Sequence, residues 1–275
     1  METLEGVGCV ITGAANGIGY AVARALGLRG GRVVIADLPG APLDAAVEKL
    51  RTEGVEAYGA PCDVRLSDDV ERLADFAYKT LQHVDVLFNN AGVGLSGPIA
   101  STTLRDWRWV IDVDLWGPIH GVQTFLPRMI EQRRGGHILF TASYAGLAPV
   151  AGMGPYCVAK YGVVALAEVL RAEVRQHAIG VSVLCPMRVA TNFGQSGRTD
   201  GGPQTGEQAN AELVAAVPAL KKGTSGAGRV LAPDDVAEET VAAILQNRLY
   251  VLPHEESRPF IERRFARIDR SFDSA

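Results

Sequence analysis

Cysteine is scarce in this chain: Cys9, Cys62, Cys157 and Cys185 are its four, with no C-x-x-C pair and no histidine beside them at metal-ligand spacing. A disulfide framework or zinc-ribbon site is thereby excluded, and buried reduced thiols are expected. Histidine is as sparse. His83, His120, His137, His177 and His254 are scattered and read as surface or core residues, so no metal is expected. An excess of positive charge is missing too: 27 Lys and Arg against 31 Asp and Glu leave a net −4, which argues against nucleic acid or an anionic membrane as partner. No apolar run approaches the ~20 residues of a membrane span, and "METLEGVG" has neither the basic start nor the apolar core of a signal peptide. The expected location is the cytoplasm. Internal repeats and low-complexity tracts are absent as well.

What is present is alternation. "GCVITG", "RVVIAD", "VDVLFNN", "GHILFTAS", "GVSVLCP" and "RLYVLP" read as strands, with "VEAYGAPCDV" a weaker seventh. These are nearly continuous apolar runs, as in a parallel sheet covered on both faces. Between them lie amphipathic helices. In "SDDVERLADFAYKTL", Ser67 can cap, and Val70, Leu73, Ala74, Ala77 and Leu81 form one apolar face. The expected fold class is α/β: a single Rossmann-type, doubly wound parallel sheet of about seven strands with helices on both faces. Residues 1–253 are expected to form this domain, including a substrate loop at 192–232, and residues 254–275 a helical tail. The polar, Gly-rich stretch 192–210 is long enough to be a lid. The tail carries Ile261, Phe265, Ile268 and Phe272 on one stripe, which needs cover from the pocket wall or from another subunit.

The first strand runs into "TGAANGIG", with Gly13, Gly17 and Gly19 ahead of a helix expected to begin near Tyr20. Glycines there allow a tight turn and close approach of backbone to a pyrophosphate, with helix N–H groups as donors. The second strand ends at Asp37, 20 residues after Gly17, where an acidic side chain meets the adenosine ribose hydroxyls. A carboxylate there would repel a 2′-phosphate, and neither Asn16 nor Leu38 supplies a compensating cation. NAD is the cofactor expected.

Tyr156 and Lys160 in "YCVAK" are four residues apart on a helical stretch, so both project from one face. Ser143 ends the strand before that helix, at the carboxyl edge where such sheets place their ligands. From about Leu4 to Pro253 the chain resembles the short-chain dehydrogenase/reductase family. The matching motifs are "TGAANGIG", "CDV" with Asp63, "NNAG" at 89–92, Ser143, "YCVAK" and "CPMRVAT" at 185–191. The resemblance implies that Gly13, Asn16, Gly17, Ile18 and Gly19 border the phosphates and that Asp37 and Leu38 stand at the ribose. It also implies that Asp63 and Val64 contact the adenine and that Asn90, Ala91 and Gly92 border the cofactor. Pro186, Val189 and Thr191 would stand at the nicotinamide amide, and Tyr156 and Lys160 at its ribose. A catalytic set of Asn, Ser, Tyr and Lys is implied, with homodimers or homotetramers built through the two long helices.

Two positions depart from that pattern. Met187 stands where the family usually has glycine, which narrows the space beside the nicotinamide. Asp114, in "DVDLWGP", stands where the family has its asparagine, at a helix kink whose backbone carbonyl holds a water leading from the lysine. Pro118 lacks the N–H that would bond to the carbonyl of residue 114, so this main-chain role survives the substitution. The carboxylate is another matter. A Lys160 ammonium about 5 Å from the Tyr156 oxygen favours the phenolate by on the order of 3 kcal/mol. An ionised Asp114 about 7 Å away would oppose it by on the order of 2 kcal/mol. The Asp114 side chain is therefore expected to be turned away, bonded elsewhere or protonated.

The activity implied is NAD-dependent interconversion of an alcohol and its ketone, with Ser143, Tyr156 and Lys160 as catalytic residues and Asp114 contributing its main-chain oxygen. By family position, Leu95, Tyr144, Leu147, Val150, Met153, Met187 and Phe193 surround the substrate, an apolar lining suited to a hydrophobic or aryl secondary alcohol. The alternatives are a hydroxysteroid-type dehydrogenase and a catalytically silent NAD-binding regulatory protein. An extended-type epimerase or dehydratase is disfavoured by the glycine spacing.

Overall fold

The computed structural model describes residues 3–195 and 229–273. Seven parallel strands, β1 (Gly8–Thr12), β2 (Arg32–Asp37), β3 (Ala57–Pro61), β4 (Val86–Asn89), β5 (Gly136–Thr141), β6 (Ile179–Leu184) and β7 (Tyr250–Val251), form one sheet in the order β3-β2-β1-β4-β5-β6-β7. The order reverses between β1 and β4. That switch leaves a crevice at the carboxyl ends of the strands. The weak seventh strand of the sequence reading is β3; it lies at the edge, where Pro61 does not interrupt a ladder on both sides.

Successive strand residues face opposite ways, and both sets are buried. Cys9, Ile11, Val33 and Ile35 pack with α1 (Gly17–Gly27), α2 (Ala41–Thr52) and α7 (Pro233–Gln246). Val10, Val34, Leu87, Ile138 and Phe140 pack with α3 (Ser67–Leu81), α5 (Gly117–Glu131) and α6 (Gly154–Glu173). The two-sided burial explains why the strands read as unbroken apolar runs. Val70, Leu73, Ala74, Ala77 and Leu81 of α3 are all buried, as the periodicity requires, but Ser67 is the first helical residue and makes no cap bond. Helix α1 begins at Gly17, three residues before the expected Tyr20.

Helix α4 (Leu104–Ile111) opens with a capping box between Thr103 and Asp106 and runs through a π-helical turn, Asp112–Trp116, into α5. After β7 the chain continues into α8 (Arg258–Asp269). Its Phe260 ring meets Tyr144 edge-on at 5.6 Å, but Phe265, Ile268 and Phe272 are exposed on this chain. Of the two covers expected for the stripe, the pocket wall takes none of these three residues. Most of the anticipated lid, from residue 196 onward, lies outside the described residues. Among the described residues no helix is long and apolar enough to cross a membrane, and no group of three His, Cys, Asp or Glu side chains could hold a metal.

Candidate active site

At the end of β1 the chain turns through Gly13 and Gly17, whose φ angles of +63° and +59° belong to the left-handed region that glycine enters freely. A Cβ on Gly13 would stand 2.6 Å from the Ala91 Cα. Gly19 packs the first turn of α1 against Asn90, whose Nδ2 donates to the carbonyls of Thr12 and Gly13 at 3.0 Å each. The Asn90 Oδ1 accepts from Thr141 Oγ1 at 2.9 Å. Asn90 therefore staples the ends of β1 and β5 together across β4.

Asp37 closes β2 with both carboxylate oxygens in use: Oδ2 accepts the Ala15 N–H at 2.9 Å and Oδ1 the Leu38 N–H at 2.8 Å. Each oxygen keeps a further lone pair for an incoming hydroxyl. Asp63 holds Arg65 through an ion pair of 2.5 Å, and that guanidinium keeps the Asp63 carboxyl below its ordinary range. Arg65, which lines the cleft at this end, is thus committed to Asp63.

From Asp37 and Asp63 a single cleft of about 940 Å³ runs past Gly13, Asn16, Gly17, Ile18 and Leu38 to Ser143, Tyr156 and Lys160. Val64, Asn90, Ala91 and Gly92 line its middle, and Pro186, Met187, Val189, Thr191 and Phe193 its far wall. The glycine turn and the Tyr-Lys helix, more than a hundred residues apart in the chain, face one volume.

Ser143 follows β5, its Oγ accepting the Ala145 N–H at 3.1 Å and hydrogen-bonding the Tyr156 hydroxyl. Tyr156 lies one turn from Lys160 on α6, and the Lys160 Nζ stands 5.5 Å from its ring centre. Burial pushes the Tyr156 hydroxyl well above its ordinary pKa; the Asp114 carboxylate pushes it the same way, and the Ser143 hydrogen bond opposes both. The Phe193 ring, 5.7 Å from that of Tyr156, covers it. Lys160, 2% exposed, donates to the Thr141 carbonyl at 2.9 Å.

Asp114 sits in the π-helical turn. Gly117 N–H bonds to the carbonyl of Asp112, five residues back, and Pro118 has no N–H to offer residue 114. The expected proline kink is therefore a local change of helical register. The side chain is fully buried. Its Oδ1 accepts the Val93 N–H at 2.7 Å, while Oδ2 has no hydrogen bond among the described residues and lies 3.7 Å from the Lys160 Nζ. It is bonded elsewhere, as anticipated, yet it faces the lysine and is not turned from it. Burial raises the Asp114 carboxyl to about 6 against the opposing pull of Lys160 and the Val93 N–H.

The seven residues expected around the substrate separate into three groups. Met187 and Phe193 line the cleft. Leu95, Val150 and Met153 pack with Tyr156 and Phe193 in an apolar cluster behind it. Leu147 packs against the main core, and Tyr144 is buried against Phe260. Trp109 and Val113, one turn apart at the α4 end, and Arg188 line the cleft and were not anticipated. The first two stand on the helix face that also carries Asp114's turn, a signal available in their spacing. His254, expected to be filler, is fully buried and bonded to the Met187 and Arg188 backbone.

A family model described as "short chain dehydrogenase" matches residues 8–201. The chain is 33% identical over 261 residues to a C alpha-dehydrogenase of Sphingobium sp., covering 94% of this chain and 84% of that protein. It is 39% identical over 184 residues to 1-deoxy-11-beta-hydroxypentalenate dehydrogenase of Streptomyces avermitilis, covering 66% and 68% of the two. A short chain dehydrogenase/reductase from Burkholderia phymatum, solved in complex with NAD, superposes with a TM-score of 0.87 at 35% identity over 98% of this chain and 96% of that one. With the glycine turn, the switch-point cleft and the Ser-Tyr-Lys cluster all in place, the chain belongs to the short chain dehydrogenase family and is an oxidoreductase.

Proposed function

We propose that this protein is an NAD-dependent dehydrogenase that interconverts a hydrophobic secondary alcohol, aryl alcohols included, and its ketone. The observation that carries the reading is the single cleft joining Asp37 at one end to Ser143 and Tyr156 at the other. The residues present fit NAD: the left-handed Gly13 and Gly17 leave backbone free of Cβ atoms at the phosphates, and Asp37 offers two fixed oxygens to ribose hydroxyls. A 2′-phosphate would meet that carboxylate with Arg65 already held by Asp63. When bound, NAD⁺ supplies the hydride acceptor.

The chain's own residues do the rest. Ser143 donates a hydrogen bond to the substrate oxygen and holds the Tyr156 hydroxyl in line with it. Tyr156 takes the alcohol proton in oxidation and returns it in reduction. Lys160 favours the phenolate by its charge and holds the ribose. Asp63 and Val64 flank the adenine, and Val189 and Thr191 hold the carboxamide. Met187, Phe193, Trp109 and Val113 give the open end an apolar wall, which excludes water and favours a bulky hydrophobic substrate over a sugar. The names of the dehydrogenase relatives support the reaction class. A homodimer or homotetramer built on α5 and α6 is supported by Val158 and Val169, exposed on α6, and by Trp116, exposed at the turn that leads into α5.

The test is turnover of NAD⁺ and NADP⁺ with a panel of aryl and alkyl secondary alcohols. NADH formation with at least one of them is expected, and no turnover with any would favour a silent NAD-binding protein, the reading that the Asp114–Lys160 contact supports.

A further inference from the structure

The segment Pro186–Ala190 forms the wall of the cleft at its catalytic end, and its backbone is held at four polar groups by Tyr144, Leu231 and His254. The Pro186 carbonyl accepts the Tyr144 N–H at 2.9 Å, and the Ala190 N–H donates to the Leu231 carbonyl at 2.9 Å. Between them the Met187 N–H donates to His254 Nδ1 at 3.2 Å, and the Arg188 carbonyl lies 3.0 Å from His254 Nε2, sharing that oxygen with the Leu231 N–H at 3.1 Å. A backbone N–H only donates and a carbonyl only accepts, so Nδ1 is bare and Nε2 carries the proton. Both sides of the imidazole are committed to one segment.

His254 is itself held from behind. It is fully buried, and its carbonyl accepts from the Ser257 N–H at 3.1 Å and the Ser257 Oγ at 2.7 Å, closing a turn just ahead of α8. Phe260, three residues after Ser257, packs on Tyr144, which grips Pro186. The chain beyond β7 therefore reaches the cleft wall twice, by His254 directly and by Phe260 through Tyr144.

We propose that His254 is a positioning residue for the dinucleotide end of the reaction. Its two ring nitrogens fix the peptide planes of Met187 and Arg188, and so set where the following Val189 presents its backbone to the nicotinamide. This rests on the NAD-dependent reading above. Met187 makes the device necessary: its side chain lines the cleft, so a rotated peptide plane would swing that side chain into the space beside the nicotinamide. Without Nδ1, the Met187 N–H would have no acceptor among the described residues, and the segment would relax to satisfy it.

His254→Phe keeps a ring of similar size and removes both bonds; His254→Asn keeps an acceptor near the Nδ1 position. NADH binding by fluorescence titration, KM for NAD⁺, KM for the alcohol and the melting temperature are read for each, on the full chain. For His254→Phe the NADH Kd and the NAD⁺ KM rise together by about tenfold, the loss of roughly one buried hydrogen bond, while the alcohol KM stays within about twofold. His254→Asn recovers part of the affinity. A purely structural histidine would lower the melting temperature and leave NADH affinity unchanged in the folded variants, and that result overturns the proposal. If His254→Phe does not fold, His254→Gln decides, because its amide reaches the Nε2 position and leaves the Met187 N–H without the Nδ1 acceptor: an NADH Kd within error of the wild type overturns the proposal equally. Wild-type protein that binds no NADH would overturn the NAD-dependent reading and this inference with it; equal binding by wild type and variants would overturn this inference alone.

Discussion

Asp114 Oδ2 lies 3.7 Å from Lys160 Nζ, with both side chains buried and no hydrogen bond on that oxygen among the described residues. A buried pair at this separation is held by its surroundings: Lys160 donates a hydrogen bond to the Thr141 carbonyl, and Asp114 accepts one from the Val93 N–H. The lysine charge that favours the Tyr156 phenolate is therefore partly answered by a second charge of opposite sign. Asp114 raises the tyrosine pKa by the same field.

Replacing that carboxylate by its isosteric amide should help the phenolate. Asp114→Asn retains the main-chain oxygen and the acceptor for Val93. In alcohol oxidation the rise of kcat/KM with pH should move about one unit or more to lower pH, with the plateau within roughly fivefold of the wild type. An unmoved profile would mean the carboxyl is already neutral at the pH of catalysis; loss of turnover would make it the base.

The same variant should alter the pH dependence of stability. With its folded carboxyl at about 6 and an ordinary value of 3.8, native Asp114 binds a proton that the unfolded chain has released. Stability from this group is full below about pH 4 and is lost as pH rises through 6, by on the order of 3 kcal/mol. His137 works in the opposite sense: burial depresses it to about 3, so its term falls away as pH drops below about 6.5. Urea unfolding of wild type and Asp114→Asn from pH 4 to 7.5 separates the two, because the difference curve contains only Asp114. That curve should favour the variant increasingly towards pH 7.

Tyr156→Phe should reduce turnover by at least about 10³-fold, since among the described residues the cleft holds no second phenol and no imidazole, and the Thr141 hydroxyl is already donating to Asn90. NADH affinity should change little. Activity within tenfold of wild type would assign the proton transfer elsewhere.

Asp37→Asn keeps an acceptor for Ala15 or Leu38 and removes the charge. The ratio of kcat/KM for NADP⁺ to that for NAD⁺ should rise about tenfold or more, chiefly by relief of repulsion with the 2′-phosphate. Equal use of both cofactors by the wild type would contradict the assignment of Asp37.

The sheet was legible because each strand is apolar on both faces, and the site because glycine, acid, Ser, Tyr and Lys stand at spacings that local geometry converts directly into position. What escaped was settled by contacts distant in the chain. His254 looked like any isolated histidine; only the return of the tail beneath Met187 gives it two partners. The facing of Asp114 to Lys160 depends on a π-helical turn that no propensity scale marks, although Pro118 indicated that something would yield there. The α3 cap failed because Ser67 entered the helix; no side chain caps this terminus, and the Asp69 carboxylate reaches back to accept the Asp63 N–H at 3.0 Å instead. Tyr144 and Leu147 were placed around the substrate from order alone, but β5's exit turns both inward.

A residue added to a regular α-helix turns everything after it by about 100°, but a π turn takes up such a surplus within itself. Helix α5 therefore leaves Asp112–Trp116 in phase with α4. Gly117 can sit closely beside Val64, and Gly121 leaves room for the Asn89 amide. Arg128 still reaches Glu71 and Asp75, and Phe125 and Met129 stay in the core. The wide turn thus sets a carboxylate beneath Lys160 without moving the helix that follows, so the local change and the docking of α5 are separate features of one continuous helix.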